Sequence, residues 1–217
     1  AQGVLLLHLL DAPQQRTDVL ARDGAVHAVI VRRNATCRRE CILAAAPELQ
    51  ALGFKKTDVL PVIPNFDHLA GEPDWSLVSQ FNDAWTNILF VGRVIPNKRI
   101  EDLIKFFHAY RSTHNSRSRL IIVGSYVGFE DYLMSLYDLA ARLRTPEVHF
   151  VGQATNAELA AFYNIADVFL CASEHEGFCV PLVEAFHERV PVIAYAATAV
   201  PGTMDGGGVL YNDKDPS

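Results

Sequence analysis

The chain of 217 residues has only four cysteines, two methionines and two tryptophans, and these scarcities narrow its chemistry first. Cys37, Cys41, Cys171 and Cys179 form no Cys-x-x-Cys pair and have no paired histidines nearby. That spacing argues against a zinc site and against the disulfide framework of a small secreted protein. A reduced, cytoplasmic setting is expected. No apolar run approaches the roughly 18–20 residues of a membrane span; the longest near the start, Val4 to Leu10, is broken by His8 and followed by Asp11. Positive charge is in the minority, 19 Lys and Arg against 25 Asp and Glu, for a net charge of −6. Nucleic acid is therefore not an expected partner through bulk charge, and any anion must be caught locally. There is no low-complexity tract and no repeat at the ~20–50-residue periods of solenoids and propellers.

What is present is a core. Apolar residues make up 50% of the chain and charged residues 20%, a balance that folds. From Asn87 onward short apolar runs alternate with amphipathic stretches, the pattern of β-α units in a parallel sheet. Strands are expected at Ile88–Val91, Leu120–Val123, Val148–Val151, Val168–Cys171, Val192–Tyr195 and Val209–Tyr211. Helices fit between them: Ile100 to about Thr113, Phe129 to Leu143, Asn156 to Ala166 behind the cap candidates Thr155 and Asn156, one from near Pro181, and a short one after Pro201. Right-handed crossovers then wind an open, Rossmann-like, doubly wound α/β sheet. Residues 1–60 read as the end of a similar unit, with strands at Val4–Leu7, Val26–Val31 and Val59–Ile63 and a helix from Ala35. Pro61, Pro64, Gly71 and Pro73 punctuate the stretch 61–86, which suits an interdomain connector before a domain at 87–217. Opening on one strand and closing just after another, the chain reads as a fragment with an incomplete first domain.

Two segments carry candidate chemistry. After the first strand of the second unit stands Gly92-Arg93-Val94-Ile95-Pro96-Asn97-Lys98, where a dinucleotide fold would place Gly-x-Gly-x-x-Gly. Instead, two cations lie at the carboxyl edge of the sheet, and Arg with Lys is a natural pair for a diphosphate. Solvated loop charges are the alternative reading of the pair. After the fourth strand comes Ser173-Glu174-His175-Glu176-Gly177-Phe178-Cys179-Val180-Pro181-Leu182-Val183-Glu184-Ala185. Pro181 suits a first helical turn, so the amides of Cys179 to Leu182 would face the sheet edge as an anion site. Gly177 permits close backbone approach by a ligand. Glu176 in the loop and Glu184 a turn into the helix could accept hydrogen bonds from separate hydroxyls of one extended ligand, as a nucleotide sugar offers. Taken singly, Glu176 reads rather as a solvated loop carboxylate and Glu184 as a first-turn acid complementing the helix dipole; their combination with Gly177, Phe178, Pro181 and Ala185 after an apolar strand, downstream of Arg93 and Lys98, reverses that preference.

These motifs, together with Ile88–Arg93, Val148–Gly152 and Ala166–Leu170, closely resemble the retaining GT-B-fold glycosyltransferases of family four, from about Val59 to the end of the chain. The resemblance implies that Arg93 and Lys98 bind the donor diphosphate, that Glu176 contacts the transferred sugar and that Glu184 holds the ribose. It places Gly152 and Gln153 near the base and the amides around Phe178, Cys179, Val180 and Leu182 near sugar and phosphate. It matches His8 to a histidine that faces the sugar from the first domain. Two positions depart from the family pattern: Cys179 stands where a second glycine is common, and Gly202 where Glu is usual.

The implied activity is transfer of a hexose with retention, from an NDP-sugar such as GDP-mannose to a saccharide or lipid-linked acceptor in glycan biosynthesis, with no metal and no cofactor. Another GT-B-like nucleotide-sugar enzyme, such as an epimerase, and a non-catalytic sugar-nucleotide-binding module are the alternatives. Arg32, Arg33, Arg38 and Arg39 form a basic cluster read either as a solvated face or as a contact with acceptor phosphate or the inner membrane face. His27, His68, His108, His114 and His149 read as surface or packing residues and His187 as a helix-surface residue, whereas His175, beside the main motif, is a candidate contact for donor or acceptor.

Overall fold

A computed structural model describes residues 5–7, 28–33, 57–62 and 64–214. The chain divides into two compact units, Ala1–Pro64 and Asn65–Ser217. In the first, β1 (Leu5–Leu7), β2 (Ala28–Arg33) and β3 (Thr57–Val62) pair in parallel in the order β1-β2-β3. These are the three expected strands, except that β2 runs on to Arg33 rather than ending at Val31. His8 and the expected helix from Ala35, with Cys37, Cys41, Arg38 and Arg39, lie outside the described residues.

The second unit holds a six-stranded sheet of β4 (Thr86–Val91), β5 (Ser118–Val123), β6 (Val148–Gly152), β7 (Val168–Cys171), β8 (Val192–Tyr195) and β9 (Val209–Tyr211). Every pairing is parallel and the order is β6-β5-β4-β7-β8-β9. Winding runs outward from β4 toward β6, then restarts at β7 and runs the other way. In such a sheet the crevice between the two central strands, at their carboxyl ends, is left open for ligand.

Alternation along the central strands divides two cores. Ile88, Phe90, Leu120 and Ile122 face one layer, packed with Ile100, Leu103, Ile104 and Phe107 of α2 (Ile100–Thr113) and Leu133 and Leu136 of α3 (Glu130–Arg142). Leu89, Ile121, Val123 and Phe169 face the other, against α4 (Asn156–Ile165), α5 (Val180–His187) and α6 (Val200–Met204). Both faces are covered, as a parallel sheet requires. The expected cap of α4 is present as a reciprocal box: Thr155 accepts from the Glu158 amide while Glu158 accepts from the Thr155 amide.

One helix in this layer was not foreseen. The stretch expected as a connector, 61–86, contains α1 (Trp75–Phe81), and the division between units falls at Pro64, so residues 65–86 pack with the second unit. Asp74 caps α1 by accepting from the Ser76 and Leu77 amides, and its own amide donates to Ala157 O at 3.0 Å, tying α1 to α4. Leu77 and Phe81 reach the core. With only seven residues and three prolines and a glycine before it, the segment shows too few turns for periodicity to register; Asp74 after Pro73 was the available signal.

Candidate functional site

The two segments singled out from the sequence follow β4 and β7, the strands that meet at the reversal of winding. Behind β4 the chain passes through a single 3-10 turn, Pro96–Lys98, and a left-handed Arg99 (φ 53°) into α2. This tight entry turns Lys98 inward, leaving it 5% exposed. Behind β7, Glu176 is 7% exposed. Lys98 Nζ donates to both Glu176 oxygens, each at 2.9 Å. Two charges removed from water at a sheet edge are therefore compensated by one another, with two hydrogen bonds shared.

Neighbouring contacts hold both loops. The Glu174 amide donates to Asn97 O at 3.0 Å; the Glu176 amide donates to Thr198 Oγ1 at 2.9 Å, and that hydroxyl donates on to Glu176 O. Lys214 Nζ donates to Ala172 O at 2.9 Å and pairs with Glu174 and Asp102. Asn97 Oδ1 is buried beside Lys98 with no hydrogen-bond partner.

Glu184 occupies a separate position inside α5, 6% exposed. Its Oε2 accepts from the Tyr163 hydroxyl at 2.8 Å and its Oε1 from His68 Nε2 at 2.9 Å. Burial, and then the Glu184 charge beside it, push the Tyr163 phenol well above its ordinary range, so it remains a donor. The two carboxylates thus have distinct partners, one a buried ammonium, the other a phenol and an imidazole. Neither Tyr163 nor His68 was singled out from the sequence. Tyr163 sits on an otherwise apolar helix face and His68 in a proline- and glycine-marked segment, so no motif announces either.

The start of α5 bears on the expected anion site. Cys179 is its N-cap, in the left-handed region at φ 64°, without a side-chain cap bond. That backbone is one that glycine adopts at no steric cost, so a glycine would suit this position. The amides expected to be available run from Cys179 to Leu182, but Pro181 has none and the Leu182 amide donates to Cys179 O at 3.1 Å, so Leu182 does not contribute its N–H. Phe178 O accepts from Thr203 Oγ1 at 2.8 Å. Gly177 is exposed and its backbone is not left-handed; no atom lies within 4 Å of where a Cβ would be. The glycine therefore leaves open space over the loop.

Arg93 is exposed, with its guanidinium 5.8 Å from the Phe129 ring centroid. Gly152 ends β6 at φ 79°, and Gln153 beyond it is exposed. The edge there is built from bare backbone. Gly124 lies so close to Gly92 that a Cβ on it would stand 1.9 Å from Gly92 O, and the amides of Gly92, Val94 and Gly124 donate to Val123 O, Ser125 O and Gly152 O at 2.8–2.9 Å.

His175 and His187 are exposed, and His187 stacks on Phe66 with ring centroids 4.3 Å apart. A recess of about 440 Å³ walled by Tyr137, Ala140, Arg144, Val148 and Phe150 opens at the amino end of β6, away from all these groups. Among the described residues no helix is long and apolar enough to cross a membrane.

A metal centre was not expected from the cysteine spacing, yet the fold brings Cys171, Glu176 and Cys179 together, with their ligating atoms all within 4.8 Å of one another. A strand end and a helix cap joined by a loop bring the two cysteines together over eight positions, a proximity that no short Cys-x-x-Cys spacing announces.

Comparison with known proteins places the chain in a family. It is similar to the O-antigen chain mannosyltransferase B of Escherichia coli, 28% identical over 141 residues, covering 64% of this chain and 36% of that protein. It is also similar to a GDP-mannose-dependent alpha-mannosyltransferase of Mycolicibacterium smegmatis, 36% identical over 107 residues, covering 48% of this chain and 24% of the relative. The chain thus spans about a quarter to a third of the length of these curated relatives. Among solved structures, the Anabaena protein HepE in complex with UDP and glucose superposes with a TM-score of 0.66 at 20% identity, over 88% of this chain and 51% of that one. The expected GT-B type of α/β sheet is the fold these neighbours share. Residues 74–215, which contain the Lys98–Glu176 pair and Glu184, match the family described as glycosyl transferases group 1, and the chain belongs to that family.

Proposed function

We propose that the protein is a hexosyltransferase that takes its sugar from a nucleoside-diphosphate donor, with retention and without a metal, and passes it to a saccharide or lipid-linked acceptor. The observation that carries this reading is the buried Lys98–Glu176 pair at the point where the sheet reverses its winding. The names of the mannosyltransferase relatives favour a GDP-sugar, GDP-mannose above all; the UDP and glucose held by HepE make UDP-glucose the comparison donor.

A diphosphate arriving at this edge presents Lys98 with a second anion. Lys98 and the more exposed Arg93 then counter the negative charge that grows on the diphosphate as the bond to the sugar breaks. Glu176, released from its two ammonium hydrogen bonds, turns to the sugar hydroxyls, while Glu184, steadied by Tyr163, accepts from the ribose. Gly152, Gln153 and the amides of Phe178, Cys179 and Val180 complete the donor site, and His8 is the acceptor-side partner.

The test is calorimetry with GDP and with UDP on the wild type, Glu184→Gln and Glu176→Gln. Loss of a charge-assisted hydrogen bond to the ribose should weaken bare-nucleotide binding by about ten- to a hundredfold in Glu184→Gln. Glu176→Gln should spare it, because the sugar is absent from the ligand. Equal loss in both variants overturns the division of roles. Labelled-donor assays with a saccharide acceptor then read transfer as the supporting outcome and isomerised donor as the refuting one.

A further inference from the structure

Cys171 closes β7 and Cys179 caps α5, and Glu176 lies on the loop between them. Both thiols are free and buried, and with a Glu176 carboxylate oxygen they form a three-atom cluster whose members all lie within 4.8 Å of one another. Ser173 Oγ stands 3.4 Å from the Cys171 sulfur. Two sulfurs and a carboxylate oxygen are a donor set for thiophilic divalent cations. In a tetrahedral site with metal–sulfur bonds of ~2.3 Å the two sulfurs lie roughly 3.8 Å apart, so closing around an ion asks for a contraction of about 1 Å or less.

We propose that Cys171, Cys179 and Glu176 bind a thiophilic divalent cation of the Zn²⁺ or Cd²⁺ kind, in competition with Lys98 for the Glu176 carboxylate. Each thiol gives up its proton as its metal–sulfur bond forms, so one cation enters and two protons leave; Glu176 supplies the third ligand and the fourth position takes water. The charge balance favours closure. Two thiolates and one carboxylate are offset by the divalent cation together with the Lys98 ammonium, which leaves the buried cluster neutral where a net charge would be penalised. Entry is from the loop side, where Glu174, His175 and Gly177 are exposed. Occupied, the site pins Glu176 between two sulfurs and fixes the start of α5. If Glu176 serves the donor sugar, as proposed above, the cation is an inhibitor; the binding test does not depend on that.

The test uses Cd²⁺, whose thiolate complexes absorb by charge transfer, on a Cys37→Ser/Cys41→Ser chain, so that only Cys171 and Cys179 remain. Titration should saturate at one equivalent per chain and raise the melting temperature. Adding Cys171→Ala or Cys179→Ala should weaken binding by more than about tenfold, since loss of even an outer-shell group costs ten- to a hundredfold. In the otherwise wild-type chain either alanine variant should bind one equivalent fewer, which keeps the comparison readable should the double-serine background unfold. Absence of charge-transfer absorption with Cys171 and Cys179 intact, or an unchanged titration in the alanine variants, overturns the proposal.

Discussion

Replacing Lys98 by methionine keeps the length of the side chain and removes its charge, which strands a carboxylate that is 7% exposed. Wild-type Glu176 has both oxygens on Lys98 Nζ at 2.9 Å, so the variant loses two hydrogen bonds and the countercharge at once. Breaking a buried pair from one side costs about 3–5 kcal/mol. For a unit of this size that lowers the melting temperature by roughly 6–20 °C. Removing both charges together, in Lys98→Met/Glu176→Leu, leaves neither member of the pair facing an uncompensated charge of the other, and the double variant should be more stable than either single one. A coupling energy of at least about 2 kcal/mol is expected from the cycle. Both tryptophans, Trp75 and Trp85, lie in the second unit, so their fluorescence through a urea titration reports its unfolding. Single variants that lose less than about 1 kcal/mol, or a double variant whose loss equals the singles added within about 0.5 kcal/mol, would falsify the view of a dry, mutually dependent pair.

Gly177→Ala should leave stability within about 0.5 kcal/mol, since the new methyl meets no atom within 4 Å and the backbone there is not left-handed. It should weaken nucleotide-sugar binding by about tenfold or more, or 1.4 kcal/mol, because the space it fills is the space over the loop. Unchanged affinity by calorimetry would show that no ligand approaches there. Acid sensitivity is predicted for Asp102, whose oxygens face Arg99 Nε at 3.0 Å, Lys105 Nζ at 3.2 Å and Lys214 Nζ at 3.3 Å. Burial pushes this carboxyl up, but the hydrogen bonds from Arg99 and Lys105 outweigh it and hold it below the ordinary 3.8. A carboxyl depressed by folding stabilises the folded state above that ordinary value, and the contribution is lost as pH falls through the lower, folded one. Asp102→Asn should therefore flatten the fall in stability below about pH 4; urea midpoints at a series of acid pH values that decline in parallel with wild type would refute the assignment.

The parallel sheet was legible because its signal repeats: Ile88, Phe90, Leu120 and Ile122 alternate faces with Leu89, Ile121 and Val123, and apolar runs of this kind are separated by amphipathic stretches long enough to register. The positions of Glu176 and Glu184 relative to strand and helix were legible for the same reason, since Pro181 marks the helix start. The partners of these groups were not. That Lys98 faces Glu176, 78 positions away, depends on β4 and β7 being neighbours, a consequence of sheet order with no local trace. The same holds for His68 and Tyr163 around Glu184. Roles of single motifs can be guessed from residue type and place on an element; which motifs touch is decided by topology.

The bare backbone at the ends of β4, β5 and β6 has a consequence for motion. Gly92, Val94 and Gly124 bond each turn to the next, and the approach of Gly124 to Gly92 O leaves no side chain between them that could change rotamer. Those three turns therefore shift together or hardly at all, and their amides should exchange with solvent as slowly as those of the strands they extend. The segment from Ser173 to Phe178 has one backbone tie, from the Glu174 amide to Asn97 O, and is otherwise held by side chains, among them the Lys98 ammonium, the Thr198 hydroxyl and the Lys214 ammonium. Ties of that kind can be traded for ligand atoms one at a time. Freedom to rearrange is thus concentrated on one side of the crevice, in the Glu176 loop, while the glycine-built side is a fixed wall.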